Sequence, residues 1–383
     1  MILKSILSVL LFFLIVLFSC KQKPSFQYAG EDWPAYHGDK TVSHYSKLDQ
    51  INKANVNKLK EAWRYDGGEA DPKDRSQIQC NPLIVNGILY GTSATRKLFA
   101  LNAATGEKIW QFNPDKDSVL SGGVNRGLVF WKDGKESRLF YGTGAFLFAI
   151  NPSTGELIES FADHGKVHLK KNLGRDVENN IYTLNTPGVI YNDLYIVGGR
   201  VSEGTGHIPG HIRAYDVRTG DLRWVFHTIP HPGEVGYETW PKDAYLKSGG
   251  ANSWSGFSLD QERGIVYAST GSASFDFYGG DRLGSNLFAN CIIALDAKTG
   301  KRIWHYQTVH HDMWDRDLPC PPNLLTIDKD GEQIDVVAQT TKSGFLFVLN
   351  RVTGEPIYPI EERPIRKSSL EGEEAWPTQP FPT

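Results

Sequence analysis

Read for its alternation of apolar and polar positions, the chain repeats one phrase. An apolar run ends in Asn or Asp, passes through Thr-Gly, and leads through charged or polar residues into a second run that often carries an aromatic residue. The phrase occurs at 98–106 leading to Trp110, at 149–155, at 214–220 leading to Trp224, at 294–300 leading to Trp304, and at 348–354 leading to Tyr358. In each copy the Asn or Asp side chain can cap the turn, and the Gly can take the positive φ that a tight connection needs. The phrase therefore predicts a β-hairpin joining two strands of one sheet. Between copies, residues 82–90, 189–197 and 264–269 read as further strands, with Asn-Gly, Asn-Asp and Arg-Gly turns. Radially repeated sheets of this kind make an all-β fold, a β-propeller of four-stranded antiparallel blades.

A bare blade needs about 40–50 residues. The intervals from Thr154 to Thr219 and from Thr219 to Thr299 exceed that and carry insertions at 201–211, 226–252 and 272–290. Long insertions in propellers gather on one face and tend to carry function, so candidate chemistry is sought there.

Composition supports the strand-rich reading. The 383 residues include 38 Gly, 10 Trp, 16 Tyr and 19 Phe beside only 2 Met. Hydrophobic residues are 40% and charged residues 22%, which excludes wholesale disorder. The formal charge of −3 gives no electrostatic ground for a nucleic-acid partner.

The first residues read as a targeting device. Lys4 supplies a positive start, and residues 6–18 form an apolar run interrupted only by Ser8. The run is short for a bilayer span of about 20 residues and suits a signal peptide. It ends in Leu17-Phe18-Ser19-Cys20, which resembles the lipobox of bacterial lipoproteins. The expected organisation is a lipoprotein signal peptide at 1–19, a tether at 20–30 beginning at lipidated Cys20, and a propeller at 31–383. That places the protein outside the cytoplasm, in the periplasm or cell envelope, anchored to membrane through lipid. With Cys20 lipidated, Cys80, Cys291 and Cys320 allow at most one intrachain disulfide. No CxxC or CxxCH occurs, so neither a zinc ribbon nor covalent haem is signalled.

The densest chemistry lies in Val309-His310-His311-Asp312-Met313-Trp314-Asp315-Arg316-Asp317-Leu318-Pro319. Imidazole and carboxylate at His310, His311 and Asp312 suit Zn²⁺ or Fe²⁺, although adjacent histidines on an extended loop diverge. Together with Trp33 to Asp39, Gln50-Ile51-Asn52, Ala62-Trp63 and Gln79-Cys80-Asn81-Pro82, this segment resembles the pyrroloquinoline-quinone (PQQ) dependent dehydrogenases, the quinoprotein group that includes membrane glucose dehydrogenase and methanol dehydrogenase. The resemblance runs from about Asp32 to the end and implies a family ring of eight blades, incomplete over these residues.

It also implies an enzyme that oxidises a sugar or alcohol hydroxyl in the manner of glucose dehydrogenase and passes electrons to a membrane quinone or cytochrome c. By resemblance, Asp315 is the catalytic base, able to take a hydroxyl proton as hydride leaves carbon. Trp254 is the residue that stacks on flat PQQ, Lys342 contacts the quinone oxygens, and Thr186 is a further cofactor contact. Ca²⁺ or Mg²⁺, which want oxygen ligands, are expected at Glu203, Ser272 and Asp315. Ser272 stands where alcohol-oxidising members have Asn, a better ligand. Cys80 lacks the neighbouring cysteine of methanol dehydrogenases, and Thr95 stands near a histidine position of glucose dehydrogenase.

Two other classes fit the repeat: a lipoprotein propeller scaffold of the outer-membrane barrel-assembly type, without cofactor, and a sugar-binding sensor without turnover. The residues of 309–319 and Lys342 favour the enzyme. The ending at 376–383, rich in Pro, reads as a loop that closes no strand, which suggests the N-terminal part of a longer enzyme.

Overall fold

The computed structural model describes residues 32–73, 75–114, 124–204 and 208–383. The expected signal peptide, tether and lipidated Cys20 lie outside the described residues. The compact unit spans Asp32–Thr383.

Its strands group into sheets in chain order. The first is β1 (Leu83–Val85), β2 (Ile88–Thr92), β3 (Leu98–Asn102) and β4 (Lys108–Phe112), each antiparallel to the next. The second is β5 (Leu128–Asp133), β6 (Glu136–Thr143), β7 (Phe146–Ile150) and β8 (Lys166–His168). A small ribbon pairs β9 (Tyr182–Thr183) with β12 (Arg200–Val201) beside the third sheet, whose order is β10 (Val189–Tyr191), β11 (Leu194–Val197), β13 (Ile212–Asp216) and β14 (Leu222–Phe226). The fourth is β15 (Phe257–Asp260), β16 (Ile265–Ser269), β17 (Cys291–Asp296) and β18 (Arg302–Gln307). The fifth has three strands, β19 (Asn323–Lys329), β20 (Glu332–Thr340) and β21 (Leu346–Asn350), and a ribbon of β22 (Ile360–Pro364) and β23 (Thr378–Pro382) follows. The single α-helix among the described residues, α1 (Ala244–Lys247), lies in an insertion.

The first strands of successive sheets touch, β1 with β5, β5 with β10, β10 with β15 and β15 with β19, so the sheets radiate from a shared axis. Apolar clusters lie between neighbouring sheets, for example Leu139, Tyr141 and Phe148 of the second against Leu83, Leu98 and Ala100 of the first. Burying each such side chain fully contributes about 1.5–3 kcal/mol.

The repeated phrase does what its residues predict, and more. Asn102 Oδ1 accepts the amides of Ala104 and Thr105 at 2.9 and 3.2 Å, and Gly106 takes φ +72°. Asp216, Asp296 and Asn350 cap their turns in the same way. Three of the hairpins shift register at the same place, Ala100/Leu101, Ala214/Tyr215 and Ala294/Leu295. The aromatic residue that follows one turn then covers the glycine of a later one: Trp110 over Gly155, Trp224 over Gly300 and Trp304 over Gly354. Each indole N–H donates to a carbonyl of that later turn, at 2.9 Å to Pro152, 3.2 Å to Ala297 and 3.1 Å to Arg351. The phrase is therefore a tie between blades as well as a hairpin within one. The copy at 149–155 has no Trp after it, and Ala162 packs on Gly220 instead.

Two expectations are corrected. The copies at 149–155 and 348–354 open into single bridges, Ile150 to Leu157 and Leu349 to Pro356, instead of full hairpin strands, and Pro356 has no N–H to continue a ladder. The ending at 376–383 does form a strand: β23 pairs with β22. The Thr383 amide donates to Pro359 at 3.0 Å, so odd-numbered amides face β22, while Pro380 and Pro382 occupy the outward positions where no donor is needed.

Candidate active site

The loops that enter the innermost strands, and those that leave β16 and β20, meet at one end of the axis. They enclose a cavity of about 210 Å³ lined by Arg126, Arg200, Glu203, Asn252, Trp254, Ser272, Asp276, Asp315, Asp317 and Lys342 among others. Glu203, Trp254, Ser272, Asp315 and Lys342, expected from sequence at a common site, all line it, and Thr186 borders it through a hydrogen bond from the Arg126 guanidinium at 3.1 Å.

Asp312 organises the 309–319 loop. It is buried, and its carboxylate accepts Trp314 N at 3.0 Å, Arg316 N at 2.6 Å, Asn290 Nδ2 at 2.8 Å and the Ser272 hydroxyl. The Arg282 guanidinium, itself buried, donates to the Asp312 carbonyl and to Phe275 O at 2.9 Å. Held from below in this way, the loop turns at Asp315, whose φ is +54°, and aims two carboxylates into the cavity.

Lys342 Nζ sits 2.9 Å from Asp315 Oδ1 and 3.1 Å from Asp317 Oδ2. Asp317 also accepts the Trp254 indole N–H at 3.0 Å and the Ser272 amide at 2.6 Å, and the missing Cβ at Gly271 leaves room for its carboxylate. The Arg126 guanidinium lies 5.5 Å from the centroid of the Trp254 ring. Burial and the neighbouring Asp317 raise the Asp315 pKa against the pull of Lys342. Burial works against the charge of Lys342, but its two aspartate partners outweigh that and raise its pKa.

Asp276 and Asp317 are the residues that sequence reasoning passed over. Burial, reinforced by Asp317, Asp315, Glu203 and Asp312, pushes the Asp276 carboxyl up to about 7. Its only sequence signal was an acid between Phe275 and Phe277 in an insertion. Asp317 stood inside the quoted motif without a role of its own, and its partners lie 25 or more residues away.

Other candidates resolve as follows. His310 bonds Gln307 and Glu362, whereas His311 Nδ1 bonds the Gly284 carbonyl at 2.7 Å, so the two adjacent imidazoles do diverge. The Ser272 hydroxyl is engaged by Asp312, and Glu203 is exposed beside Arg200 at 3.4 Å. Cys80, Cys291 and Cys320 are free thiols.

The donor set fits a hard cation: Glu203, Asp276, Asp315 and Asp317 are all oxygen donors, and after burial itself it is the surrounding carboxylates that push the Asp276 carboxyl up. It also fits a flat polyanionic quinone, since Trp254 offers a ring face and Lys342, Arg126 and Arg200 offer cationic donors.

Fold and site together define a propeller whose axial cavity combines a Trp face, a lysine bound to two aspartates and a carboxylate-rich wall. Residues 33–383 match the family described as PQQ: glucose/ethanol/alcohol dehydrogenase, beta-propeller domain, and the chain belongs to that family. It is 34% identical to the quinoprotein glucose dehydrogenase of Escherichia coli (strain K12) over 92% of this chain and 46% of that protein. It is 33% identical to the quinate/shikimate dehydrogenase (quinone) of Acinetobacter baylyi over 91% of this chain and 46% of that protein. Among solved structures, the quinohemoprotein alcohol dehydrogenase from Comamonas testosteroni superimposes with a TM-score of 0.75 at 28% identity, covering 92% of this chain and 52% of that one. The chain thus spans about half the length of the curated relatives it matches.

Proposed function

We propose that the protein takes part in PQQ-dependent oxidation of a sugar or alcohol hydroxyl, with the axial cavity as its cofactor and substrate site and a quinone or cytochrome as electron acceptor. The observation that carries this reading is the Asp315–Lys342–Asp317 arrangement beside Trp254. Bound PQQ would supply the two-electron acceptor, and Ca²⁺ or Mg²⁺ the Lewis acid that polarises its carbonyl.

The chain's own residues would do the rest. Trp254, oriented by its bond to Asp317, offers the stacking face, with the Arg126 guanidinium nearby and hydrogen-bonded to Thr186. Lys342 offers a cationic donor to quinone oxygens. Asp315 is the base that takes the hydroxyl proton; its raised pKa brings it closer to the operating range of a general base. Glu203 and Asp315 would hold the metal, with Ser272 keeping Asp312 and Asp317 in register through its hydroxyl and amide. The intact base and lysine favour turnover over a scaffold or a non-catalytic sensor.

Glucose, alcohol and quinate/shikimate dehydrogenases among the relatives support a polyhydroxylated or alcoholic substrate. The apolar run at 6–18 and Cys20 support export and a lipid anchor; no helix among the described residues is long and apolar enough to cross a membrane. The test is Asp315→Asn, which should retain PQQ binding while dye-linked turnover falls by about 10²–10⁴-fold. Full turnover in that variant removes Asp315 from its role.

A further inference from the structure

Away from the axial cavity, three histidines converge where the insertion at 226–252 leaves the third blade. His211 stands just before β13, His227 just after β14 and His231 four residues further on. One ring nitrogen from each lies within 4.8 Å of the others, and they are the one such trio among the described residues. The His227 and His231 rings stack at 3.8 Å with planes 8° apart, and the His211 ring lies 4.7 Å from His227. Nothing in the oxidation chemistry uses this cluster.

Its surroundings prepare it for a ligand. Glu234 receives His227 Nδ1 at 2.9 and 3.1 Å through its two oxygens, which keeps the proton on Nδ1 and leaves the lone pair on Nε2. The same carboxylate accepts the His231 amide at 2.7 Å, so one anion orients both members of the pair. His211 is buried, and its Nδ1 accepts a backbone N–H, so that nitrogen carries a lone pair. Its Nδ1 lone pair is met by the Thr228 amide at 3.2 Å, a long bond that a stronger acceptor of that lone pair can displace. The Arg175 guanidinium, bonded to the Ser248 carbonyl, faces His211 and His231 and opposes a cation, and Glu234 supplies the counter-charge.

We propose that His211, His227 and His231 form a site for one divalent transition-metal ion of the kind imidazole prefers, Zn²⁺ or its neighbours, distinct from the oxygen-lined axial cavity. A tetrahedral ion with metal–nitrogen bonds near 2.0–2.1 Å brings its ligands to roughly 3.4 Å apart. Closing the trio from its present spread takes side-chain rotations that unstack His227 from His231, and both rings are partly solvent-exposed. The bound ion ties the start of the insertion to the blade edge. That edge continues through Gly210, whose amide donates to Gly250 O at 2.9 Å, and Gly250 lines the axial cavity. The ion is thus a clamp on one wall of the site.

The experiment is a Zn²⁺ titration of the full chain, stripped with chelator and held in excess Ca²⁺ so that oxygen-ligand sites are filled, with Co²⁺ substitution to read coordination in the visible spectrum. The expected result is one equivalent of Zn²⁺, tetrahedral Co²⁺ bands, and a rise in the thermal midpoint. The double variant His227→Ala/His231→Ala should lose at least tenfold in affinity, and Glu234→Gln should weaken binding by about 10- to 100-fold. Absence of Zn²⁺ binding by a chain with native circular dichroism overturns the proposal. So does binding that the double variant retains, or binding that Asp315→Asn abolishes. None of these readouts depends on PQQ or on turnover.

Discussion

At the outer rim, Asn102, Asp216, Asp296 and Asn350 each accept amides two or three residues further on, and the loop so formed is sealed by a covered glycine, under an indole at Gly106, Gly300 and Gly354 and under Ala162 at Gly220. In the 309–319 loop Asp312 uses the same local chemistry, accepting the amides of Trp314 and Arg316, but the residues it frees are left unsealed. Asp315 and Asp317 point into a cavity and are matched by Trp254 and Ser272 from loops of the fourth blade and Lys342 from a loop of the fifth. Side-chain capping makes a rigid platform in both places. What separates structure from chemistry is whether the platform's remaining polar groups are covered or presented.

That contrast can be broken residue by residue. The largest effect is expected for Asp315→Asn, where turnover falls by about 10²–10⁴-fold, equivalent to about 3–5 kcal/mol of barrier, while the denaturation midpoint moves by no more than about 1 kcal/mol. Asp312→Ala should invert the pattern by orphaning the Ser272, Asn290, Trp314 and Arg316 donors. A loss of about 3 kcal/mol in stability, read by urea unfolding, is expected, and an unchanged midpoint would show that Asp312 does not hold the loop.

At the rim, Gly300→Ala forces a side chain into φ +72° with a Cβ 2.5 Å from the Trp224 ring, which should cost about 2–3 kcal/mol. Gly331→Ala shares the positive φ, at +84°, but meets nothing within 4 Å and should cost about 1 kcal/mol. Equal losses at the two glycines would mean that the indole cover contributes nothing.

The smallest and most gradual effect comes from acid. Burial, with His44 also opposing, pushes His37 down to about 4, and burial, with Arg302 also opposing, does the same to His305. Because these folded pKa values lie below the ordinary 6.5, the unfolded chain binds more protons. Their contribution to stability is whole above about pH 6.5 and is lost as the pH falls towards 4. Between pH 7 and 4 the two histidines should pull the thermal midpoint down while Asp276, raised to about 7, pulls it the other way, and His305→Gln should remove part of the downward pull.

The blades were legible because their determinants are local. A cap, a glycine and an alternating run lie within ten residues of one another, and each can be read without knowing the neighbours. The Trp-over-Gly tie was written in the same phrase, yet its partner lies a blade away, so it appears only once the sheets are stacked. The site was legible in part: family resemblance singled out Glu203, Trp254, Ser272, Asp315 and Lys342, and all five line the cavity. Asp276 was hidden because a carboxylate between two phenylalanines carries no sequence mark of its burial or of the four acids around it. Paired strands at 360–364 and 378–382 were hidden by prolines, whose outward register only the pairing reveals.

The central claim is that the cavity at Trp254, Asp315, Asp317 and Lys342 is a quinone-cofactor site. It is tested most directly by titrating PQQ into the chain with and without Ca²⁺ while following tryptophan fluorescence, beside Trp254→Ala and Lys342→Ala. The prediction is Ca²⁺-dependent quenching that Trp254→Ala loses and Lys342→Ala weakens by tenfold or more. Absence of binding, or binding that neither substitution alters, would contradict it.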